Sequence, residues 1–220
     1  MFKNIRAVAV GSSMIALAVA GVVSGADDAK MKDVVTYQVK ITNLTEGQPL
    51  SPPVVASHAP EMHMWQEGEK ASKGVQMIAE DGKTDKLVEE LKGKATDIAA
   101  AKMEEKIMPG KSMTMMIKCK PGDVISAVTM LAATNDGFTG LDGCQAKDGE
   151  MKEAMAYDGG TEENTEKSAD VPAPSKGKGH VATEPRAPIQ NHPGITGQAD
   201  LDKEKMGWSG PVAKFEIKKM

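Results

Sequence analysis

The clearest pattern in the chain is an alternation of apolar and polar residues, which is typical of a strand with one buried face. The alternation runs over residues 37–43, 111–120 and 212–217. Residues 124–133 are apolar at nearly every position instead, as expected of a central strand that is covered on both faces. A Pro-Gly-Asp turn at 121–123 joins two of these segments and predicts that they form a hairpin.

Helical spacing of apolar residues is confined to one insertion. The spacing predicts a helix over 69–80 and a second over 84–93, and a glycine stands where each would end. A proline-rich loop is predicted over 45–61 and a short strand over 155–157. Because strands and helices do not alternate regularly, a parallel α/β sheet is excluded. The predicted fold is mainly β: an antiparallel β-sandwich with a short helical insertion.

The first 26 residues have the pattern of an export signal. A short basic start is followed by an uncharged run over 7–23 and by the small residues Ser24-Gly25-Ala26. We therefore expect a signal peptide at 1–26, and a mature domain at 27–220 that is periplasmic or extracellular. No later run approaches the length of a membrane span, so no span is expected in the mature chain.

A change of composition marks residues 163–180, which are acidic and then rich in Pro, Ser, Gly and Lys. A loop of this length is usually functional or disordered, and we expect a mobile, partly disordered surface loop. The whole chain carries a net charge of -4, whereas nucleic-acid binders normally have a basic excess. A nucleic-acid partner is therefore not expected, and the partner would be an unidentified extracellular or envelope component.

Enzyme signatures are absent from the sequence. There is no G-x-S-x-G elbow, no H-E-x-x-H motif and no phosphate-binding P-loop sequence. A triad built from residues far apart in sequence would leave no such signature. We therefore expect a binding domain rather than an enzyme, and a hydrolase remains the third hypothesis.

The two cysteines of the chain, Cys119 and Cys144, would meet oxidising conditions after export. A disulfide bond between them is predicted, provided that residues 134–144 run back toward the end of the preceding strand. The alternative is a pair of separate, buried thiols.

Acidic residues occupy two predicted turns at the ends of strands. Asp136 follows the central strand, while Asp158 and Glu162 flank two glycines that let the chain curl. If the two turns are neighbours, these carboxylates form a face of hard oxygen ligands, which calcium prefers. The alternative is that Asp, Asn and Gly stand here because turns favour them.

A second candidate metal site is the segment Met-His-Met-Trp at 62–65. Together with His58, the residues Met62, His63, Met64 and Trp65 offer thioethers, imidazoles and an indole face, which suit copper(I). A periplasmic copper-binding protein is therefore the second hypothesis for function. The alternative is that these methionines fill the core of a chain with only 3% aromatic residues.

Several short blocks, taken in order, resemble the bacterial branch of the spondin N-terminal domain family. The resemblance covers nearly all of the expected mature chain and lies in residues 51–58, 79–82, 134–142, 156–164, 192–195 and 208–213.

The resemblance implies a secreted β-sandwich of C2-like shape, related to the adhesion and matrix proteins F-spondin and mindin. In those relatives the domain binds calcium through positions that correspond here to Asp136, Asp158 and Glu162. Two departures are visible: the last ligand position is Glu rather than Asp, and Gly137-Phe138 follows the first aspartate in place of a tryptophan.

Overall fold

Two antiparallel sheets and a small helical layer make up the part of the chain that the computed structural model describes, residues 33–173, 177 and 187–220. The helices are α1 (Lys73–Asp81), α2 (Asp85–Leu91) and α3 (Lys203–Met206), with a 3-10 turn at Ser168–Asp170. The strands are β1 (Val35–Asn43), β2 (Val54–His58), β3 (Asp97–Ala100), β4 (Ser112–Cys119), β5 (Val124–Met130), β6 (Gly137–Gln145), β7 (Glu150–Ala154), β8 (Tyr157–Asp158), β9 (Gln190–Asn191) and β10 (Ala213–Lys219).

The strand order places the first and last strands side by side. One sheet has the order β4-β1-β10-β7, and the other has the order β3-β2-β5-β6-β8-β9. Strands β1 and β10 pair from Tyr37 opposite Lys219 to Asn43 opposite Ala213. The prediction of a mainly β, antiparallel sandwich is confirmed.

Two layers of apolar side chains hold these elements together. The first lies between the sheets and includes Ile41, Ile117 and Phe215. The second lies between the six-stranded sheet and helices α1 and α2, and includes Ile78 and Phe138. Strand β5 separates the two layers and is buried at all seven positions, which explains why its sequence shows no alternation.

The predicted hairpin between residues 111–120 and 124–133 is wrong. Strand β4 pairs with β1 in the four-stranded sheet, whereas β5 pairs with β2 and β6 in the other sheet. The turn at 121–123 therefore carries the chain from one sheet to the other.

The predicted loop at 45–61 and the predicted strand at 155–157 also need correction. Strand β2 lies inside the predicted loop, and all five of its residues are buried, so it has no polar face to reveal its period. The predicted short strand is replaced by β7 and β8, which belong to different sheets. Strand β6 was not predicted, and three glycines dilute its pattern.

Cys119 and Cys144 lie on β4 and β6, in opposite sheets, and both side chains reach the core between the sheets. The structure has both as free, buried cysteines rather than as the predicted disulfide. Burial raises the pKa of the Cys119 thiol to about 11, and burial also raises the pKa of Cys144. In this state both are neutral thiols, and the disulfide stays a prediction.

Two expectations fall wholly or partly outside the described residues. The signal peptide predicted at 1–26 lies outside them, as do residues 174–176 and 178–186 of the predicted mobile loop. Residues 163–173 wrap against the domain, and Val171 is completely buried. None of the helices in the described ranges is long and apolar enough to span a membrane.

Candidate functional site

The pairing of β6 with β8 brings the two predicted acidic turns together. Gly137, at the start of β6, lies opposite Asp158 in β8, so Asp136 and Asp158 flank the same short ladder. The chain then turns through two glycines, and the backbone N–H of Gly159 donates to the carbonyl oxygen of Asp136 at 3.0 Å. A Cβ at position 159 would lie 3.1 Å from that oxygen, so the close approach favours glycine.

Asp136 is the centre of this cluster and is completely buried. Its Oδ2 atom accepts hydrogen bonds from the backbone N–H groups of Thr161 at 2.7 Å and Glu162 at 3.0 Å, and from the Thr161 hydroxyl at 3.2 Å. Its Oδ1 atom is buried and has no hydrogen-bond partner among the described residues. One carboxylate oxygen is therefore fully bonded and the other is not.

Asp158 orders the turn that follows it. Its Oδ1 atom accepts the N–H of Gly160 at 2.7 Å, and its Oδ2 atom accepts the side-chain amide of Asn164 at 2.7 Å. Asp158 is 5% exposed and Glu162 is 7% exposed. The structure thus brings the three predicted residues Asp136, Asp158 and Glu162 into one nearly dry region, with Glu162 joined to Asp136 through its backbone N–H.

The electrostatics of the cluster disfavour the charged form of Asp136. Burial and, after it, the negative charge of Asp158 raise the pKa of Asp136 to about 6. The hydrogen bonds from Thr161 and Glu162 act in the opposite direction and lower that pKa, but they do not offset burial.

The sequence analysis missed several residues around this cluster. Thr161 and Asn164 bond two of the carboxylates, and Thr165 donates its N–H to Asn135 Oδ1 at 3.0 Å. His192 is 9% exposed, and its Cδ2 lies 3.0 Å from the position that a Cβ on Gly137 would take. Nothing in the sequence connects residue 192 with residue 137, because the contact depends on the pairing of β8 with β9, a strand more than 30 residues downstream.

His192 itself is held as a neutral ring. Its Nδ1 accepts the N–H of Gly194 at 3.0 Å, and the ring packs against Trp208 with centroids 5.2 Å apart. Its Nε2 is buried and has no hydrogen-bond partner among the described residues. Burial holds the pKa of His192 well below its usual range, and the charges of Asp158 and Glu166 only partly oppose this.

The Met-His-Met-Trp loop packs on the other end of β6, where Asp142 anchors it. His63 Nδ1 lies 2.5 Å from Asp142 Oδ2, and the backbone N–H of Met64 donates to Asp142 Oδ1 at 3.0 Å. Trp65 donates its ring N–H to the carbonyl of Ala127 at 3.2 Å. Its ring packs against Phe138 and Tyr157, with centroids 5.1 Å and 4.7 Å away.

The other members of the candidate copper site also have structural partners. His58 is completely buried, with Nδ1 2.9 Å from the carbonyl of Ala59 and Nε2 2.7 Å from the hydroxyl of Ser126. Met64 is buried in the layer beneath the helices, and Met62 packs against it at partial exposure. His63 contacts Asp142 directly. His58 is linked to it through the Ser126 hydroxyl, which also lies 3.2 Å from Asp142 Oδ1.

Within the ranges that the structure describes, no group of three or more His, Cys, Asp or Glu side chains is arranged so that it could hold a metal ion. The acidic cluster has the ligand chemistry that calcium prefers, because its carboxylate donor atoms are oxygens. One of them, the buried Asp136 Oδ1, has no hydrogen-bond partner among the described residues. Calcium also accepts carbonyl oxygens, and that of Asp136 lies beside the cluster, where it accepts the N–H of Gly159. The side-chain amide of Asn164 turns its NH2 group toward Asp158.

These features define a class: an antiparallel β-sandwich whose acidic turns meet at one end of its larger sheet. The family model described as Spondin_N matches residues 42–191, which is more than half of the chain. The chain therefore belongs to the spondin N-terminal domain family, as its sequence blocks had suggested. No curated protein matches the chain.

Proposed function

We propose that this protein is an exported, non-enzymatic spondin-type binding domain that calcium stabilises at Asp136, Asp158 and Glu162. One observation carries the calcium assignment: a completely buried carboxylate, Asp136, keeps one oxygen without a hydrogen bond while a second carboxylate, Asp158, lies close enough to raise its pKa.

A dication accounts for this arrangement better than a structural turn does. A buried polar atom without a partner costs free energy, and the cost is larger when the group carries charge. Turn-forming aspartates normally lie at the surface, where water satisfies both oxygens. Calcium would supply the missing partner of Asp136 Oδ1 and neutralise the repulsion between Asp136 and Asp158.

The position of the cluster suggests a structural role for calcium. Asp136 belongs to the turn between β5 and β6, while Asp158 and Glu162 belong to the turn after β8. An ion bound by both turns would fix β8 against β6 and would order the loop that continues from Glu162. Loops at one end of a rigid sandwich are common binding surfaces, which agrees with a partner in the envelope or outside the cell.

The surroundings of Ser126, whose hydroxyl contacts His58 near the candidate copper loop, also agree with a binding role. Ser126 is completely buried, and its hydroxyl already contacts His58, Asp142 and the N–H of Gly143. A catalytic nucleophile must reach its substrate. A buried hydroxyl with three polar contacts is therefore a poor nucleophile, which favours a binding domain over a hydrolase.

The test is thermal unfolding of protein stripped of metal with a chelator. A ligand that binds only the folded state stabilises it by about 2.7 kcal/mol at one hundred times its Kd. Millimolar calcium should therefore raise the melting temperature. Asp158→Asn should remove most of that increase while leaving the circular dichroism spectrum unchanged.

The matched control is Glu89→Gln, which removes one carboxylate from the exposed face of α2, away from the cluster. This variant should respond to calcium as the wild type does. An unchanged melting temperature in calcium would contradict the assignment. A shift with copper(I) alone, lost in Met64→Ala, would favour the copper-binding alternative instead.

A further inference from the structure

A cavity of about 680 Å³ opens on one side of the sandwich between strands β6 and β7. Its volume lies within the range of clefts that bind ligands in proteins, roughly 300–1,000 Å³. The wall contributed by β6 runs from Gly140 to Gln145, and the wall contributed by β7 includes Glu150 and Lys152–Ala154. Trp65, Tyr157 and Met155 close the end nearest to β8.

Each wall of this cavity is a strand with one side open. Strand β7 is the edge of the four-stranded sheet, and β10 is its one ladder partner in the part of the chain that the structure describes. Strand β8 covers β6 only at Gly137 and Phe138. Beyond Phe138, β6 has ladder partners on one side alone, in β5, within the described part of the chain.

The residues on the β6 wall show that the cavity follows the edge of this strand. Successive side chains of a strand point to opposite faces of its sheet. Leu141 and Cys144 both belong to the core between the sheets, because a β-bulge, where Asp142 and Gly143 lie opposite Ser126, shifts the alternation by one residue. Gly140 and Asp142 face the layer of Trp65 and the helices. A cavity that touches both faces of β6 must run along its edge.

The β7 wall has the same character. Lys152 lies opposite Phe215 of β10, so it shares the inner face with that core residue, while Glu153 lies opposite Lys214 on the outer face. Both line the cavity. The cavity is thus a gap between two strand edges, and we name it the edge gap.

We propose that the edge gap binds an extended, basic peptide segment of a partner protein, which adds as a strand to the open edges of β6 and β7. Strand addition satisfies the main-chain groups of an exposed edge, and alternate side chains then provide specificity. The charges on the walls favour a basic segment: Asp142, Glu150 and Glu153 outnumber the cation Lys152. Asp142 already bonds His63 and Glu150 already pairs with Lys152, so Glu153 is the carboxylate without an ion pair among the described residues.

The same charges disfavour pairing of two copies of this chain. Natural sheets protect their edges with charged residues, including charges that point inward. Glu150 and Lys152 occupy inward positions on β7 and form an ion pair at 3.1 Å. A second β7 strand would bring its own acidic side chains against Glu150 and Glu153, whereas a basic segment would complement them.

Hydrogen–deuterium exchange with short synthetic peptides tests this proposal. The probe is an alternating Lys-Val peptide, compared with a Glu-Val peptide and with an N-methylated Lys-Val peptide that cannot pair its main chain. The Lys-Val peptide should slow exchange over residues 140–145 and 150–154 and should bind more weakly as salt is raised. The double variant Glu150→Gln/Glu153→Gln should lower its affinity severalfold.

The matched control is Glu104→Gln/Glu105→Gln, beside β3 at the opposite side of the sandwich, which should bind as the wild type does. Equal binding of the N-methylated or the Glu-Val peptide, protection only at β3 and β4, or dimerisation through β7 in sedimentation would each overturn the proposal. The measurement is made with calcium and with chelator, so that loss of the calcium effect and loss of peptide binding are separate results.

Discussion

From the sequence, the acidic turns around Asp136 are the first candidate metal site and the Met-His-Met-Trp loop at 62–65 is the second, and the fold gives them different surroundings. In the loop, both nitrogens of His58 and the bonded nitrogen of His63 have polar neighbours, and Met64 is part of the core. In the acidic turns, Asp136 is buried with one unpartnered oxygen and with Asp158 nearby.

The difference shows that the residue types in a segment say less about metal binding than the partners that the fold supplies. Asp142 provides an acceptor for His63 and for the backbone of Met64, so the loop is satisfied by the protein alone. Around Asp136, by contrast, the fold adds a second carboxylate. A site that the protein does not neutralise by itself is the better candidate for an external cation.

Replacing Trp65 with alanine should have the largest effect and tests whether the loop is structural. Trp65 is 8% exposed, contacts two other rings and donates a hydrogen bond to Ala127. Truncation of a buried aromatic side chain costs about 3–5 kcal/mol. Urea unfolding should therefore show a loss of this size. Trp65→Phe should lose much less, and near-wild-type stability of Trp65→Ala would show that the loop contributes little to the core.

The pH dependence of stability tests the acidic turns around Asp136. In the metal-free protein, the pKa of Asp136 is about 6, against an ordinary value of 3.8. A raised pKa means that the protonated carboxyl favours the folded state, and that this advantage is lost as pH rises through 6. From pH 4 to pH 7, Asp136 alone should lower the free energy of unfolding by about 2 kcal/mol.

His192 contributes the opposite slope, because its lowered pKa makes the folded state less stable as pH falls below the ordinary value of 6.5. The quantity to measure is therefore the difference between wild type and Asp136→Asn across this range, in chelator. The variant should gain stability relative to wild type as pH rises. A difference that does not change with pH would show that Asp136 titrates normally.

The smallest effect is expected at His63. Its side chain is 42% exposed, and pairs between exposed charges contribute about 0.2–1 kcal/mol. His63→Ala should reduce stability by no more than this and should leave the calcium response intact. Asp142→Ala should cost more, since it removes the acceptor of His63, Met64 and Ser126 together. A larger loss in His63→Ala than in Asp142→Ala would contradict the described role of Asp142.

The sandwich could be predicted from sequence because β1, β4 and β10 each have one buried and one polar face, which leaves a period of two. Strand β2 could not, because it is buried at every position. The pairing of the strands could not be predicted either. The turn at 121–123 has residues typical of a hairpin, yet it joins strands of different sheets. The residues of a turn indicate a local bend in the chain, but they do not indicate which strands pair with each other.

The carboxylates of the candidate site were accessible to sequence reasoning because strand ends in one sheet tend to meet. The residues that surround these carboxylates could not be predicted from the sequence. Thr161 and Asn164 read as ordinary loop residues, and His192 reaches Gly137 only through the pairing of β9 with β8. That Asp136 Oδ1 is unpartnered is a property of the assembled structure, and no residue pattern encodes it.

The place of β10 has a consequence for the order in which the protein folds. Strand β10 lies between β1 and β7, so the four-stranded sheet cannot close until the end of the described chain has been made. Contacts of such long sequence separation slow folding, and all-β domains of this kind fold in milliseconds to seconds. An incomplete chain would leave β1 and β7 without the strand between them. During synthesis, β1 and β7 therefore stay open to non-native pairing until residues 213–219 are available.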